Sequence, residues 1–267
     1  MQNVNFISLS DSFIPDSDIT PWNKFSIKRL QRFKNPFLIF SPYSALLEAK
    51  EELRELKELE KDLFKGLVLT IEPSIYTISG TYLKEGLTDS VKKKIVEVGD
   101  IQTTKRIYNA WKLGAQEDLI ADFNIDSHGN LFLRSCDFQV YFCHASLFNS
   151  LKGMTQKELQ NFTLDNDGSY IHWPTRDIHL DLDSFRLKLD ENYKKKILKE
   201  NLKFQKDLGS KLKKLRESKG LFQKDFELSS KTISRYEHGE EIPTYKALEK
   251  IAKAYKMEVD ELMAILK

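Results

Sequence analysis

The 267 residues, 40% apolar and 31% charged, are too many for one ordinary domain and suit two, with apolar surface enough for a sizeable core. No run of ~18 apolar residues occurs, so no membrane span is expected, and since Met1–Ser10 lacks a basic start and apolar stretch, no signal peptide is expected. The net charge of +2 hides an asymmetry: residues 194–267 carry 19 Lys and Arg against 12 Asp and Glu, a net +7, which leaves 23 against 28, a net −5, for residues 1–193.

A basic tail on an acidic body is the charge footprint of a nucleic-acid binder, and equally that of a solvated lysine-rich helix face. The two cysteines, Cys136 and Cys143, have no partner ligands at metal spacing. They read as reduced, half-buried thiols, which points to the cytoplasm.

In residues 1–40, Pro15, Pro21 and Pro36 disfavour long helices, and Phe37–Phe40 reads as a short buried strand. A helix is predicted over 44–65, where Leu46, Ala49, Leu53, Leu56 and Leu63 recur at three-to-four-residue steps. It is expected to dock on its own domain, a two-heptad coiled coil being the alternative. Strands follow at Leu67–Ile71 and Ile75–Ile78. Residues 88–113 read as mostly helical, with Val91, Ile95, Val98, Ile107 and Trp111 inward. Alternation predicts three strands at Ile120–Ile125, Leu131–Arg134 and Phe138–Phe142, with a hairpin turn at Ser127–Asn130. Thr155 and Glu158 stand at capping-box spacing. Strand pieces are expected at Phe162–Leu164, Tyr170–Pro174 and Ile178–Leu182.

Gly168, Tyr170, Ile171, Trp173, Pro174, Asp177 and Asp181 give the segment 120–185 its pattern. It resembles a small bacterial domain family of unknown function whose members often stand just ahead of a helix-turn-helix domain. That resemblance implies organisation and no catalysis. The lysine-rich stretch 191–206, without Gly or Pro, reads as a helical linker.

Beyond Leu208 the apolar spacing predicts four to five short helices. Leu208, Leu212 and Leu215 line the first, which Gly220 ends with a left-handed cap. A short second helix is expected over Gln223–Leu228 with Phe226 inward. Ser229 caps a third over Ser230–Glu237 with Ile233 inward. Pro243 begins a fourth with Leu248, Ile251 and Ala252 inward, and Val259, Leu262 and Ile265 line a fifth. The words Leu208-Gly209, Leu215-Arg216, Lys219-Gly220-Leu221, Gln223, Thr232 to Glu237, Gly239, Pro243, Leu248, Lys250 to Ala254 and Asp260-Glu261-Leu262 resemble the Cro/C1-type (XRE-like) helix-turn-helix family. In that family the third helix enters the major groove. Here the interval from Gln223 to Ile233 is about one helical turn shorter than the family spacing, so the second helix is expected to be trimmed.

The resemblance implies double-stranded DNA as partner and Gln223, Ser230, Lys231, Thr232, Ser234, Arg235 and Tyr236 as DNA-binding residues. Gln223 would donate to a phosphate at a helix start. Lys231 or Arg235 would reach guanine O6 and N7. Arg235 has a second reading, an ion pair with Glu237 that braces the fold. Thr232 reads as structural as readily as groove-facing, Tyr236 as partly core with its hydroxyl turned to a phosphate, and His238 as a turn residue. Lys211, Lys213, Lys214 and Lys246 would add sequence-independent attraction.

No catalytic set, cofactor or metal site is expected. His172 and His179 stand seven apart with Asp177 nearby, and as strand residues at odd spacing they are expected on opposite faces. His144 and Cys143 are discounted as a nucleophile pair on the same ground. Trp22, Trp111 and Trp173 read as core aromatics, Trp173 at a pocket rim.

The expected fold is α+β: a mixed α/β N-terminal body followed by an all-α helix-turn-helix domain. Its divisions are 1–118, an α+β region of unknown role; 119–190, a small α+β domain; 191–206, the helical linker; and 207–267, the DNA-binding domain. The expected function is a transcriptional regulator, a repressor, working as a homodimer because one small module with four base contacts gives little specificity alone. Its body would dimerise, sense a small effector or bind a protein partner. The alternative is a protein-interaction or antitoxin-like module whose DNA binding is autoregulatory.

Overall fold

A computed structural model describes residues 4–10, 16–22, 35–49, 63–71 and 92–266. The chain divides into two compact units, residues 1–189 and 190–267.

The first unit opens with β1 (Asn5–Ser8), β2 (Ile19–Pro21), β3 (Phe37–Pro42), β4 (Phe64–Thr70) and β5 (Ile95–Val98), paired in the order β2-β1-β3-β4-β5 with every neighbour parallel. Parallel sheets are covered on both faces, so their strands read as unbroken apolar runs. Phe37, Leu38, Ile39 and Phe40 accordingly have no exposed surface. Ile7, Phe37, Ile39, Leu67 and Leu69 point to one face, where α1 (Tyr43–Glu48) adds Tyr43 and Leu46. Phe6, Leu38, Phe40 and Val68 point to the other, against Ile107, Tyr108 and Ala110 of α2 (Ile101–Leu113).

Asp100 caps α2 by accepting from the Thr103 amide at 2.7 Å, and Gly114 ends it at φ 72°. The helical reading of 88–113 therefore fails at 95–98, where β5 lies. Val91, Ile95 and Val98 fall at helical spacing, but the β-branched run Ile95-Val96 pairs with Leu67 and Val68 at the sheet edge. Of the helix expected over 44–65, α1 is its described start, residues 50–62 and the strand at 75–78 lie outside the described residues, and the expected helix end at 64–65 is instead the start of β4.

An antiparallel meander follows: β6 (Ile120–Ile125), β7 (Asn130–Ser135) and β8 (Val140–His144). Then come α3 (Gln156–Gln160), a second antiparallel sheet of β9 (Thr163–Leu164), β10 (Tyr170–Trp173) and β11 (Ile178–Asp181), and α4 (Leu182–Leu189). The expected strands are present, with the third shifted to 140–144 because Phe138 turns at φ 74°. Both hydrogen bonds of the Thr155–Glu158 capping box form.

Phe123, Leu131, Leu133, Ile171, Trp173 and Phe185 share one core, while Ala121 and Cys136 pack with Ile107 and Tyr108. Trp173 is no rim residue: it is 0% exposed, and its indole nitrogen donates to the Leu159 carbonyl at 2.9 Å. Gly168, at φ 85°, lies so close to the Ile120 carbonyl that a β-carbon would overlap it. Burial pushes the Cys136 thiol up to about 12 and the Cys143 thiol up to about 11, which keeps both protonated and unreactive at neutral pH.

The expectation that His172 and His179 point to opposite faces is also corrected. It treats the seven-residue interval as one strand, but a turn at Pro174–Asp177 intervenes, and the antiparallel register sets His172 directly across from His179.

In the second unit the linker and the first expected helix are one element, α5 (Glu191–Ser218), of 28 residues. Asp190 caps it by accepting from the Asn192 and Tyr193 amides, and no Gly or Pro interrupts it before Gly209. Gly220, at φ 67°, follows its end. The second helix is reduced to a three-residue 3-10 turn, Gln223–Asp225. Then come α6 (Ser230–Glu237), α7 (Tyr245–Tyr255) and α8 (Val259–Leu266). Phe226, Ile233, Leu248, Ile251, Ala252, Tyr255 and Leu262 form the core with Leu212 of α5. No helix among the described residues is long and apolar enough to cross a membrane.

Candidate functional site

The eight residues of α6 divide between two tasks. Ile233, Tyr236 and Glu237 are buried, three and four positions apart, on the face turned to the core. Ser230, Lys231 and Arg235 are exposed, with Thr232 and Ser234 half-buried at the border. The helix starts where Ser229 accepts from the Thr232 amide at 3.1 Å, and the two hydroxyls lie 2.8 Å apart. Thr232 thus serves the cap, and the outer face keeps a polar and cationic edge.

The orientation of α6 is set by a buried charge. Glu237 is 7% exposed, and Arg216 of α5 grips it with two bonds, Nε to Oε1 at 2.5 Å and Nη2 to Oε2 at 3.1 Å. Such a fork satisfies both carboxylate oxygens with a planar donor set, the geometry that makes an interior ion pair tolerable. The hydrogen bonds to Glu237 raise the Arg216 pKa above its ordinary value. Arg216 Nη1 also donates to the Leu221 carbonyl at 2.9 Å, and Gln223 Nε2 to Glu237 Oε2 at 2.8 Å. One carboxylate thereby ties α5, the 3-10 turn and α6 together.

Two glycines complete the clamp. A β-carbon on Gly209 of α5 would stand 2.5 Å from the Tyr236 carbonyl oxygen and 2.6 Å from that of Glu237. One on Gly239, which turns at φ 67°, would stand 2.7 Å from the Gln205 carbonyl oxygen. Only residues without a side chain let α5 and the end of α6 approach this closely.

The residues singled out from the sequence are therefore distributed unevenly. Ser230, Lys231, Ser234 and Arg235 share the outer face or border of α6. Tyr236 is 9% exposed and belongs to the core. Gln223 has one amide hydrogen committed to Glu237 and sits in a 3-10 turn too short to present a helix end. The bracing ion pair suspected for Arg235 and Glu237 exists with a different cation, Arg216. Arg235 instead pairs outward with Glu241 at 2.7 Å and Glu240 at 3.7 Å. His238 folds back on its own helix, its Nδ1 lying 2.7 Å from the Ser234 carbonyl oxygen.

Elsewhere on this unit Lys213, Lys214 and Lys246 are exposed, whereas Lys211 pairs with Asp207 at 3.1 Å. Sequence reasoning missed the roles of Arg216 and Gly209, although both stand in the motif words that carried the resemblance. A buried Arg and Glu 21 positions apart leave no periodic trace.

A family model described as helix-turn-helix matches residues 212–262. The second unit thus carries a Cro/C1-type helix-turn-helix domain, and the match supports a DNA-binding regulatory role. It lends no support to the resemblance of residues 120–185. No curated protein and no solved structure matches the chain.

Proposed function

We propose that the protein is a sequence-specific DNA-binding transcriptional regulator, a repressor that occupies promoter DNA with α6 in the major groove. The observation that carries this reading is the split of α6, with Ile233, Tyr236 and Glu237 inward and Ser230, Lys231 and Arg235 outward. Lys231 and Arg235 read guanine edges, and Ser230, Thr232 and Ser234 contact neighbouring bases or phosphates. The remaining amide hydrogen of Gln223 goes to the backbone of the duplex, and Tyr236 supports α6 from the core. Arg235 leaves Glu241 to do so, an exchange of small cost, since exposed ion pairs contribute ~0–1 kcal/mol. Exposed Lys213, Lys214 and Lys246 add salt-sensitive attraction.

The working form is a homodimer reading paired half-sites. Leu198 and Leu202, each 53% exposed and one turn apart on α5, offer an apolar strip to a second copy. The body senses a small effector. A cavity of about 590 Å³ lined by Asn5, Phe6, Thr20, Asn35, Trp111 and Gln116 supports this, as does the buried Gln116 Oε1, which has no hydrogen-bond partner. One observation favours the alternative, a partner-gripping module with autoregulatory DNA binding. Phe132 and Phe142 meet at 4.7 Å, tilted by 45°, on the outer face of the meander while 44% and 55% exposed.

The test is a gel shift of full-length protein on its own upstream region across a salt series. Lys231→Ala and Arg235→Ala should each lower affinity roughly 10- to 100-fold, as expected of base contacts worth ~1–3 kcal/mol, with helicity unchanged. Failure to prefer any promoter DNA at low salt would sink the reading, and capture of a protein by residues 1–193 alone would shift weight to the alternative.

A further inference from the structure

The geometry points to a divalent transition-metal site on the β10–β11 hairpin, with His172, His179 and Asp177 as ligands and a first-row ion such as Zn²⁺ as occupant. Among the described residues this is the one group of three whose ligand atoms converge, all lying within 4.8 Å of one another. His172 and His179 stand opposite each other in the ladder, their rings stacked at 4.2 Å and 7° from parallel. Asp177, in the turn between them, places Oδ1 at 3.6 Å from His172 Nε2 and 3.9 Å from His179 Nδ1.

Three features favour a cation over an ordinary surface cluster. His172 is 28% exposed, but its Nε2 is itself covered and has no hydrogen-bond partner. The neighbouring cation of the turn is drawn away: Arg176 donates to Glu158 Oε1 at 3.1 Å and to the Gly153 carbonyl at 3.1 Å, which leaves the Asp177 carboxylate facing the two imidazoles. The inner face of β10 is locked by Ile171 and Trp173, both 0% exposed, so the strand that carries His172 is rigid.

The donor set selects the ion. Two imidazole nitrogens and one carboxylate suit Zn²⁺, Co²⁺, Ni²⁺ or Cu²⁺, whereas Mg²⁺ and Ca²⁺ require mostly oxygen. Metal bonds of about 2.0–2.2 Å need the three ligand atoms about 1 Å closer together. That closure also requires the two parallel rings to turn until their in-plane lone pairs meet, for which the exposed His179 and Asp177 side chains, at 47% and 89%, have room. Three protein ligands leave at least one position to water, an arrangement of exchangeable rather than sealed sites. The site belongs to the first unit, and the inference stands independently of DNA binding.

The experiment uses full-length protein freed of metal by chelation and titrated with Co²⁺, then Zn²⁺. One equivalent of Co²⁺ should bind with a visible d–d band that Zn²⁺ abolishes, while Mg²⁺ and Ca²⁺ leave no signal. His172→Ala and His179→Ala should each weaken binding about 100-fold or more, since even outer-shell changes at metal sites weaken binding 10- to 100-fold. His144→Ala, whose ring bonds Ser146 and the His128 carbonyl, should leave it unchanged. Zn²⁺ should raise the melting temperature of the wild type but not of His179→Ala, and an unaltered metal-free melt of that exposed variant separates a lost ligand from a lost fold. The proposal is overturned if no stoichiometric site is found, or if binding survives both histidine substitutions.

Discussion

The two units handle buried charge in opposite ways. In the first, Arg186 is the buried charged residue among those described; its Nε donates to the Tyr141 hydroxyl at 3.2 Å, and its carboxylate neighbour Asp183, at 3.9 Å, is half in solvent. The sheets around it pack mainly through apolar faces, joined by neutral hydrogen bonds such as that between the Thr70 and Thr104 hydroxyls. In the second, Arg216 and Glu237 are both buried and fully engaged with each other. A small helical core has few apolar contacts with which to fix one helix against the next. A forked ion pair adds directional bonds, so α6 can hold a defined angle although its preceding helix is reduced to a turn. The lesson is that the shortened motif keeps its outward face because a charge, and not a helix, fills the gap.

The largest effect is expected from removing one partner of the Arg216–Glu237 pair. Glu237→Ala or Arg216→Ala leaves the other charge buried and unpaired, and should cost about 3–5 kcal/mol, read as a lower denaturant midpoint for the second unit. The double change Arg216→Met with Glu237→Leu should recover most of that loss; if it does not, the pair is more than a filler of space. The backbone contacts come next. Gly209→Ala drives a β-carbon against the Tyr236 carbonyl and should cost ~1–3 kcal/mol by overpacking. Gly168→Ala in the first unit should cost at least as much, because its left-handed backbone adds strain to the overlap. Thermal melts of the two variants show whether both units depend on such approaches.

Smaller effects refine the picture. Ser229→Ala removes the α6 cap and should cost ~1 kcal/mol, visible as a lower melting temperature and weaker DNA binding. The smallest concerns pH. Burial pushes the Tyr255 hydroxyl, which donates to the Leu212 carbonyl at 3.2 Å, from its ordinary 10.0 up to about 12. Because the folded value is raised, its contribution is intact below pH 10 and is lost as the pH climbs toward 12. The loss is at most about 3 kcal/mol. Urea midpoints between pH 9 and pH 11 should therefore fall more steeply for the wild type than for Tyr255→Phe.

Much of α6 was legible beforehand, because its inward and outward residues follow from a period and its start from Ser229. The same logic misread 95–98, where Ile95 and Val98 continue a helical period in the sequence but pair, with Val96, in a sheet. It misplaced His172 and His179 because a spacing rule for one strand ignores the turn between two. Trp173 was recognised as core but put at a rim, since nothing local told that the Leu159 carbonyl would receive its indole proton.

Sequence alone determined the local properties of this protein: the unbroken apolar run of β3, the Thr155 and Ser229 caps, the basic tail and the polar outer face of α6. These depend on residues within one or two turns of each other, where propensity and periodicity act. Tertiary structure alone decided that Glu237 meets Arg216, that Gly209 touches the carbonyls of Tyr236 and Glu237, and that two histidines and an aspartate converge on one hairpin. Those contacts join positions distant in the chain or separated by a turn, and their energy depends on distances that no linear pattern encodes.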